Sequence, residues 1–167
     1  MSQKRSLIRF IKITIFYGEQ PWAQKKPNDE AEIRRLIDGW VEALRVKNVE
    51  AIMSLYAPDV LLFDILPPLE HKGQEAYRKI WDMCFHSFRG PIDCEIRDLS
   101  ITAGDGAAFS HGLYRFSGRM TDGKQMDMWV RATIGYRKVD GRWMITHDHH
   151  SVPVSMETNQ ALFDLKS

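Results

Sequence analysis

The stretch "LYAPDVLLFDILPP", Leu55 to Pro68, governs how the rest of the chain is read. Val60, Leu61, Leu62 and Phe63 are four apolar residues in succession, Ile65 and Leu66 continue them, and Pro67-Pro68 stops them. The run is too short for a helix, so it reads as a strand buried on both faces. Asp64 interrupts it, and on either face its neighbours are hydrophobic. Desolvation there makes a carboxylate a stronger base. The bland alternative is that Asp64 accepts hydrogen bonds from the "PPLEHKG" loop, as buried polar groups generally find partners.

Upstream of this strand, Asn28 or Asp29 can cap a helix whose first turn holds Glu30 and Glu32. Ile33, Leu36, Ile37, Trp40, Val41 and Leu44 then recur at helical spacing. A short helix over roughly Val49 to Tyr56 follows, closed by Pro58. Downstream, Gly73 precedes a third helix from about Gln74 to Phe88, with Ala76, Tyr77, Ile80, Trp81, Cys84 and Phe85 on its inward stripe. "RGP" ends it. The remainder alternates and turns as an antiparallel meander: Ile92 to Thr102, Ala107 to Met120, Gln125 to Val139 and Trp143 to Val152, separated by "GDG", "TDGK" and "DGR". Helices first and strands after predict an α+β fold, a strongly curved, mostly antiparallel sheet wrapped around three helices with a cone-shaped cavity between the layers.

At 167 residues and 44% hydrophobic content the chain suits one domain with one core. We place that domain at 28–155, with an N-terminal extension at 1–27 and a C-terminal tail at 156–167. Lys4, Arg5, Arg9, Lys12, Lys25 and Lys26 against Glu19 give the extension a net charge of +5, which leaves −4 for the rest out of the total of +1. A mildly acidic domain gives no electrostatic reason to expect nucleic acid. Cys84 and Cys94, ten positions apart, read as reduced core thiols. "LIRFIKITIFY" is broken by Arg9 and Lys12, so no membrane-spanning segment is expected. The same segment fits a secretory signal poorly, because Lys12 sits in its apolar centre and Pro21 and Trp22 stand near the would-be cleavage point. A plain tail or an extra edge strand, and a cytoplasmic protein, is the expectation; export is the alternative if the segment is a signal.

Three clusters carry groups that packing alone would not choose. Asp64 is the first. In "MWVRATIGY", alternation puts Trp129, Arg131 and Thr133 on one face and Val130, Ala132 and Ile134 on the other. In "ITHDHHSVP", His147, His149 and Ser151 share one face and Asp148 and His150 the opposite one. We expect the Trp129, Arg131 and His147, His149 faces to line the helix-side cavity. Together with Asp64 they would form a site walled by Trp40, Tyr56, Phe63 and Trp81. Arginine offers a planar fork for a carboxylate or oxyanion and histidine titrates near neutrality, so the expected ligand is a small anionic or carbonyl-bearing organic molecule. Arg131 pairing with a core carboxylate is the bland alternative. His147 and His149 with Asp64 would make two imidazoles and a carboxylate, a known metal ligand set. Nothing in the sequence brings Asp64 to them, so neither metal nor cofactor is expected.

The order "GWVEAL", "AIMSLYAPDVLLFD", "KGQEAYRKIW" and "DGRWMITHDHHSVP" resembles the nuclear transport factor 2-like superfamily, and within it the SnoaL-like and ketosteroid isomerase-like proteins. The resemblance runs from about Asp29 to Pro153. It implies the cone-shaped α+β barrel, and for activity a cofactor-independent isomerase or cyclase that abstracts a proton next to a carbonyl. The ketosteroid isomerase base ends a similar "LYA-x-D-x-x-x-x-D" run, which implies that role for Asp64. That family's oxyanion-hole tyrosine falls at Trp40 and its protonated aspartate near Ile134, so steroid isomerisation itself is not implied. The last strand also resembles the association domain of calcium/calmodulin-dependent kinase II. This implies the alternative, a non-catalytic binding or assembly module with Arg131 receiving an anion, and a homodimer through the outer sheet face.

Overall fold

The structure is a computed structural model that describes residues 27–166; the reading of the N-terminal extension as tail, strand or signal lies outside those residues. Helix α1 (Pro27–Arg45) turns Ile33, Ile37, Trp40 and Leu44 inward at intervals of three and four. Its first turn is anchored by Asp29, 5% exposed, which accepts hydrogen bonds from Lys138 Nζ at 2.6 Å and Trp143 Nε1 at 3.3 Å. Helix α2 (Val49–Met53) is capped by Asn48, whose side chain accepts from the Ala51 N–H at 3.0 Å. Strands β1 (Tyr56–Phe63) and β2 (His71–Lys72) lead into helix α3 (Gln74–His86). Strands β3 (Phe88–Ala103), β4 (Ala107–Met120), β5 (Gln125–Val139) and β6 (Arg142–Ser151) then follow.

All six strands form one sheet in the order β2-β1-β6-β5-β4-β3, with β1 parallel to β6 and every other pair antiparallel. The Asp140-Gly141 turn between β5 and β6 takes positive φ at both positions, 49° and 79°, the geometry that D-G pairs supply to tight hairpins. The long strands curl around α1 and α3 at bulges in β3, between Arg89 and Ile92 and between Arg97 and Ser100. Gly118 of β4 sits under the first of these. A Cβ there would lie 3.1 Å from the Phe88 ring and 3.2 Å from the Pro91 carbonyl oxygen, so any side chain would have to push the bend apart by a few tenths of an ångström.

Two boundaries and one burial pattern differ from expectation. The sheet begins at Phe88, not Ile92, because Gly90-Pro91 fall in the bulge of an edge strand, where a missing N–H is tolerated. β1 begins at Tyr56 and passes through Pro58. From Val60 on it is buried on one face only: Val60 and Leu62 are core, while Phe63 is 36% exposed on the other side. No helix among the described residues is long and apolar enough to cross a membrane.

Candidate active site

Between the inner sheet face and helices α1 and α3 lies a cavity of about 590 Å³. α1 contributes Trp40; α3 contributes Tyr77, Ile80, Trp81, Met83 and Cys84. The inner faces of β4 and β5 contribute Phe116, Met120, Met126, Met128 and Val130. Four methionines in one apolar wall make a surface that can repack around ligands of different outline. Burial pushes the Cys84 thiol up to about 11, so it stays protonated and inert as a nucleophile near neutral pH.

The aliphatic set of "MWVRATIGY" is the one that faces inward. Val130, Ala132, Ile134 and Tyr136 are buried, and Trp129, Arg131 and Thr133 lie on the outer face. Trp129 there receives the Arg97 guanidinium 4.7 Å above its ring, and Arg131 is exposed. The expectation that Trp129 and Arg131 line the cavity is therefore corrected. Burial of the branched side chains outweighs any preference of the polar ones, which lose nothing by staying in water.

His147 and His149 are also outside, for a reason that strict alternation cannot supply. Trp143 and Ile145 are inward on β6, so period two would carry His147 and His149 inward as well. In the pairing with β5, however, Tyr136 lies opposite Ile145 and its neighbour Gly135 opposite His147, which leaves Thr146 as an extra residue. This bulge shifts the parity of everything after it. His147 Nδ1 lies 2.9 Å from the Leu61 carbonyl oxygen, and both outer imidazoles meet Phe63 edge-on, at 4.9 and 5.8 Å between centroids. Phe63 is thus outer wall too, not cavity.

What the bulge turns inward is Asp148 and His150. Asp148 is 2% exposed; its Oδ2 accepts a 2.7 Å hydrogen bond from the Tyr56 hydroxyl, and its Oδ1 stands 3.2 Å from His150 Nδ1, ion-pair distance but off the hydrogen-bond line. His150 Nε2 is buried without a partner. The His150 ring borders both the large cavity and a recess of about 20 Å³ behind it, among Trp40, Tyr56, Tyr114, Tyr136 and Asp148, which has room for one water molecule. Burial, reinforced by the Asp148 carboxylate, pushes the Tyr56 and Tyr77 phenols well above their usual range. Tyr56 therefore acts as a proton donor to Asp148 from behind the cavity, not as ligand wall.

Of the residues singled out from the sequence, Asp64, Trp40 and Trp81 do line the cavity. One position beyond the Phe63–His149 pair of β1 and β6, Asp64, just past the end of β1, and His150 of β6 both line the cavity. Asp64 Oδ1 accepts the Leu66 N–H at 3.0 Å, so the loop reading of this carboxylate is met in part by one oxygen. The residues that sequence reasoning set aside are Asp148 and His150. No Lys or Arg is among the described residues that line the cavity, and among the described residues no cluster of three or more His, Cys, Asp or Glu side chains is arranged to hold a metal ion.

Comparison with known proteins agrees with this architecture. A nuclear transport factor 2-like protein of unknown function from Pseudomonas putida KT2440 is 38% identical, with a TM-score of 0.77 over 84% of this chain and 98% of its own. A protein from Xanthomonas campestris, provisionally named a calcium/calmodulin-dependent protein kinase II association domain, is 28% identical, with a TM-score of 0.64 over 72% of this chain and 84% of its own. One from Novosphingobium aromaticivorans, provisionally named a scytalone dehydratase, shares the fold at 17% identity and a TM-score of 0.70, over 81% of this chain and 90% of its own. No curated protein matches the chain. The SnoaL-like domain family matches residues 33–155, and the chain belongs to that family within the nuclear transport factor 2-like fold.

Proposed function

We propose that the chain is a cofactor-independent acid–base enzyme that moves a proton on a small, uncharged, apolar carbonyl compound. The observation that carries this reading is the Asp148–His150 pair at the end of an apolar cavity, with His150 Nε2 unpartnered and Asp64 turned into the same space. Asp148, held by Tyr56, faces the Nδ1 side of the imidazole, while Nε2 takes or returns the proton. Asp64 serves as the second acid–base group, its expected role as base. Two such groups beside one substrate permit removal of a proton next to a carbonyl and delivery elsewhere, which is isomerisation, ring closure or, with a hydroxyl in the β position, loss of water. The provisional dehydratase name of one structural neighbour is in keeping with the last of these. A cavity without lysine or arginine among its described lining disfavours a carboxylate ligand, since nothing would offset its desolvation.

The test is solvent deuterium exchange. 2-Tetralone, an enolisable bicyclic ketone of suitable size, is incubated with the protein in D₂O and followed by NMR. Protein-dependent exchange that is lost in His150→Gln supports the reading. Exchange at the buffer rate with this and a panel of neutral cyclic ketones would sink it and leave a binding module.

The outer face favours a second, compatible reading as an assembly surface. It exposes Phe63 and Phe109, at 36% and 47%, with His147 and His149 against the first and His111 stacked on the second. A homodimer through this face predicts twice the chain mass in light scattering and a monomer on Phe63→Glu.

A further inference from the structure

After Pro153 the chain folds back on itself. Val154 pairs with Ala161, the Ser155 N–H donates to Gln160 O at 2.9 Å, the Asn159 N–H to Ser155 O at 2.8 Å, and the Leu162 N–H to Pro153 O at 2.9 Å. These bonds lie within 153–162. They give the hairpin its shape without fastening it to the barrel. The ion pair that reaches across, Lys166 Nζ to Asp127 Oδ2, is 4.0 Å long and its lysine is 77% exposed, so it is weak and screened by salt. Asp127 is itself a fixed post, gripped by Arg115 at 2.7 and 2.8 Å.

Just past the Leu162–Pro153 bond that closes this hairpin, Phe163 lines the cavity although it is 42% exposed, and Leu165, two residues on, stands 46% exposed. An aromatic ring that is cavity wall on one side and solvent-facing on the other belongs to a cover. Pockets enclose most of a bound ligand's surface, and 154–166 is a described segment that reaches this cavity from outside helices α1 and α3 and the sheet.

We propose that residues 154–166 are a strap hinged at Pro153 that swings to admit and release the cavity's ligand, with Phe163 as the wall that closes on it. The inference rests on the cavity being a ligand site, as the acid–base reading requires, but not on proton transfer. An apolar occupant adds contacts to Phe163 and so favours the closed strap.

The test uses the full chain and the neutral dye N-phenyl-1-naphthylamine, followed by stopped-flow fluorescence and backbone amide exchange. In Phe163→Ala, dye dissociation is expected to accelerate about fivefold or more with an unchanged thermal midpoint, since the ring is lost from a half-exposed site. In the unsubstituted chain, bound dye is expected to slow exchange at the Asn159 and Leu162 amides. Dye that binds with the same dissociation rate in both chains and leaves those amides unaffected overturns the strap while the ligand site stands. Dye that binds neither chain overturns both.

Discussion

His147 and His149 on one side of β6, and Asp148 and His150 on the other, are four consecutive residues placed in two environments. The outer pair is in contact with Phe63, and one of its ring nitrogens lies within hydrogen-bond distance of a backbone carbonyl. The inner pair sits among tyrosines, one carboxylate oxygen taken by a phenol and one imidazole nitrogen left without a partner. His149 and His150 are the same residue type side by side. What differs is which side of the sheet each reached, and the Thr146 bulge decides that.

The most drastic way to break the comparison is to insert one alanine between His147 and Asp148, beyond the bulge. Alternation would then turn His149 inward and push Asp148 and His150 out, and we expect a loss of about 4 kcal/mol or more in urea unfolding. An insertion variant with a near-normal midpoint would show that strand parity does not sort these residues. Next in size are the single histidine changes. His150→Gln should lower ketone exchange by about 10²–10⁴, the usual worth of a general acid–base, whereas His147→Gln and His149→Gln should leave it near its starting value. Equal losses at all three would erase the functional difference between the faces.

Tyr56→Phe removes a donor from a buried carboxylate, which should cost about 1–3 kcal/mol, read as a fall of several degrees in the thermal midpoint. The inner face should also show itself in alkali. Tyr56, Tyr77, Tyr114 and Tyr136 all have phenols pushed up, in each case chiefly by burial. Their raised folded-state affinity for protons contributes fully below the unfolded tyrosine value of about 10 and is lost above it, as the unfolded chain ionises first. Phenolate absorbance from these four of the chain's five tyrosines should therefore appear together with loss of circular dichroism, not before it. The smallest effect belongs to Arg131→Ala on the outer face, for which stability should change by no more than about 0.5 kcal/mol and dye affinity not at all.

Much of the fold was legible because it follows from local rules. Periodicity located α1 and α3, and D-G pairs marked the hairpins, with β4 and β5 found at their observed ends. Asp64, Trp40 and Trp81 were recognised as cavity residues from their apolar company. The rest of the site was not legible, for two physical reasons. On β5 alternation separates the two faces but does not say which one is the pocket, and the aliphatic Val130, Ala132 and Ile134 have more to gain from burial than the polar set. On β6 no intact alternation existed to be read, since a bulge is a property of paired strands and leaves little trace in one of them. The available hint was Gly135 on the partner strand: a Cβ there would stand 3.2 Å from His147 Cβ, so the position beside the extra residue requires glycine or a small displacement.

Thr146 has a consequence for how such sites arise. A strand is decoded in twos, face by face, so one additional residue that is not absorbed by a bulge, or a bulge such as that at Thr146 gained or lost at constant length, acts on it as a frameshift acts on a codon series, reassigning the later positions to the other side. A histidine already present on a harmless exterior can thereby become a buried acid–base group, and its neighbour a surface residue, without any change of side chain. For a fold that serves many chemistries, the insertion or loss of one strand residue is a short route from one active-site constellation to another.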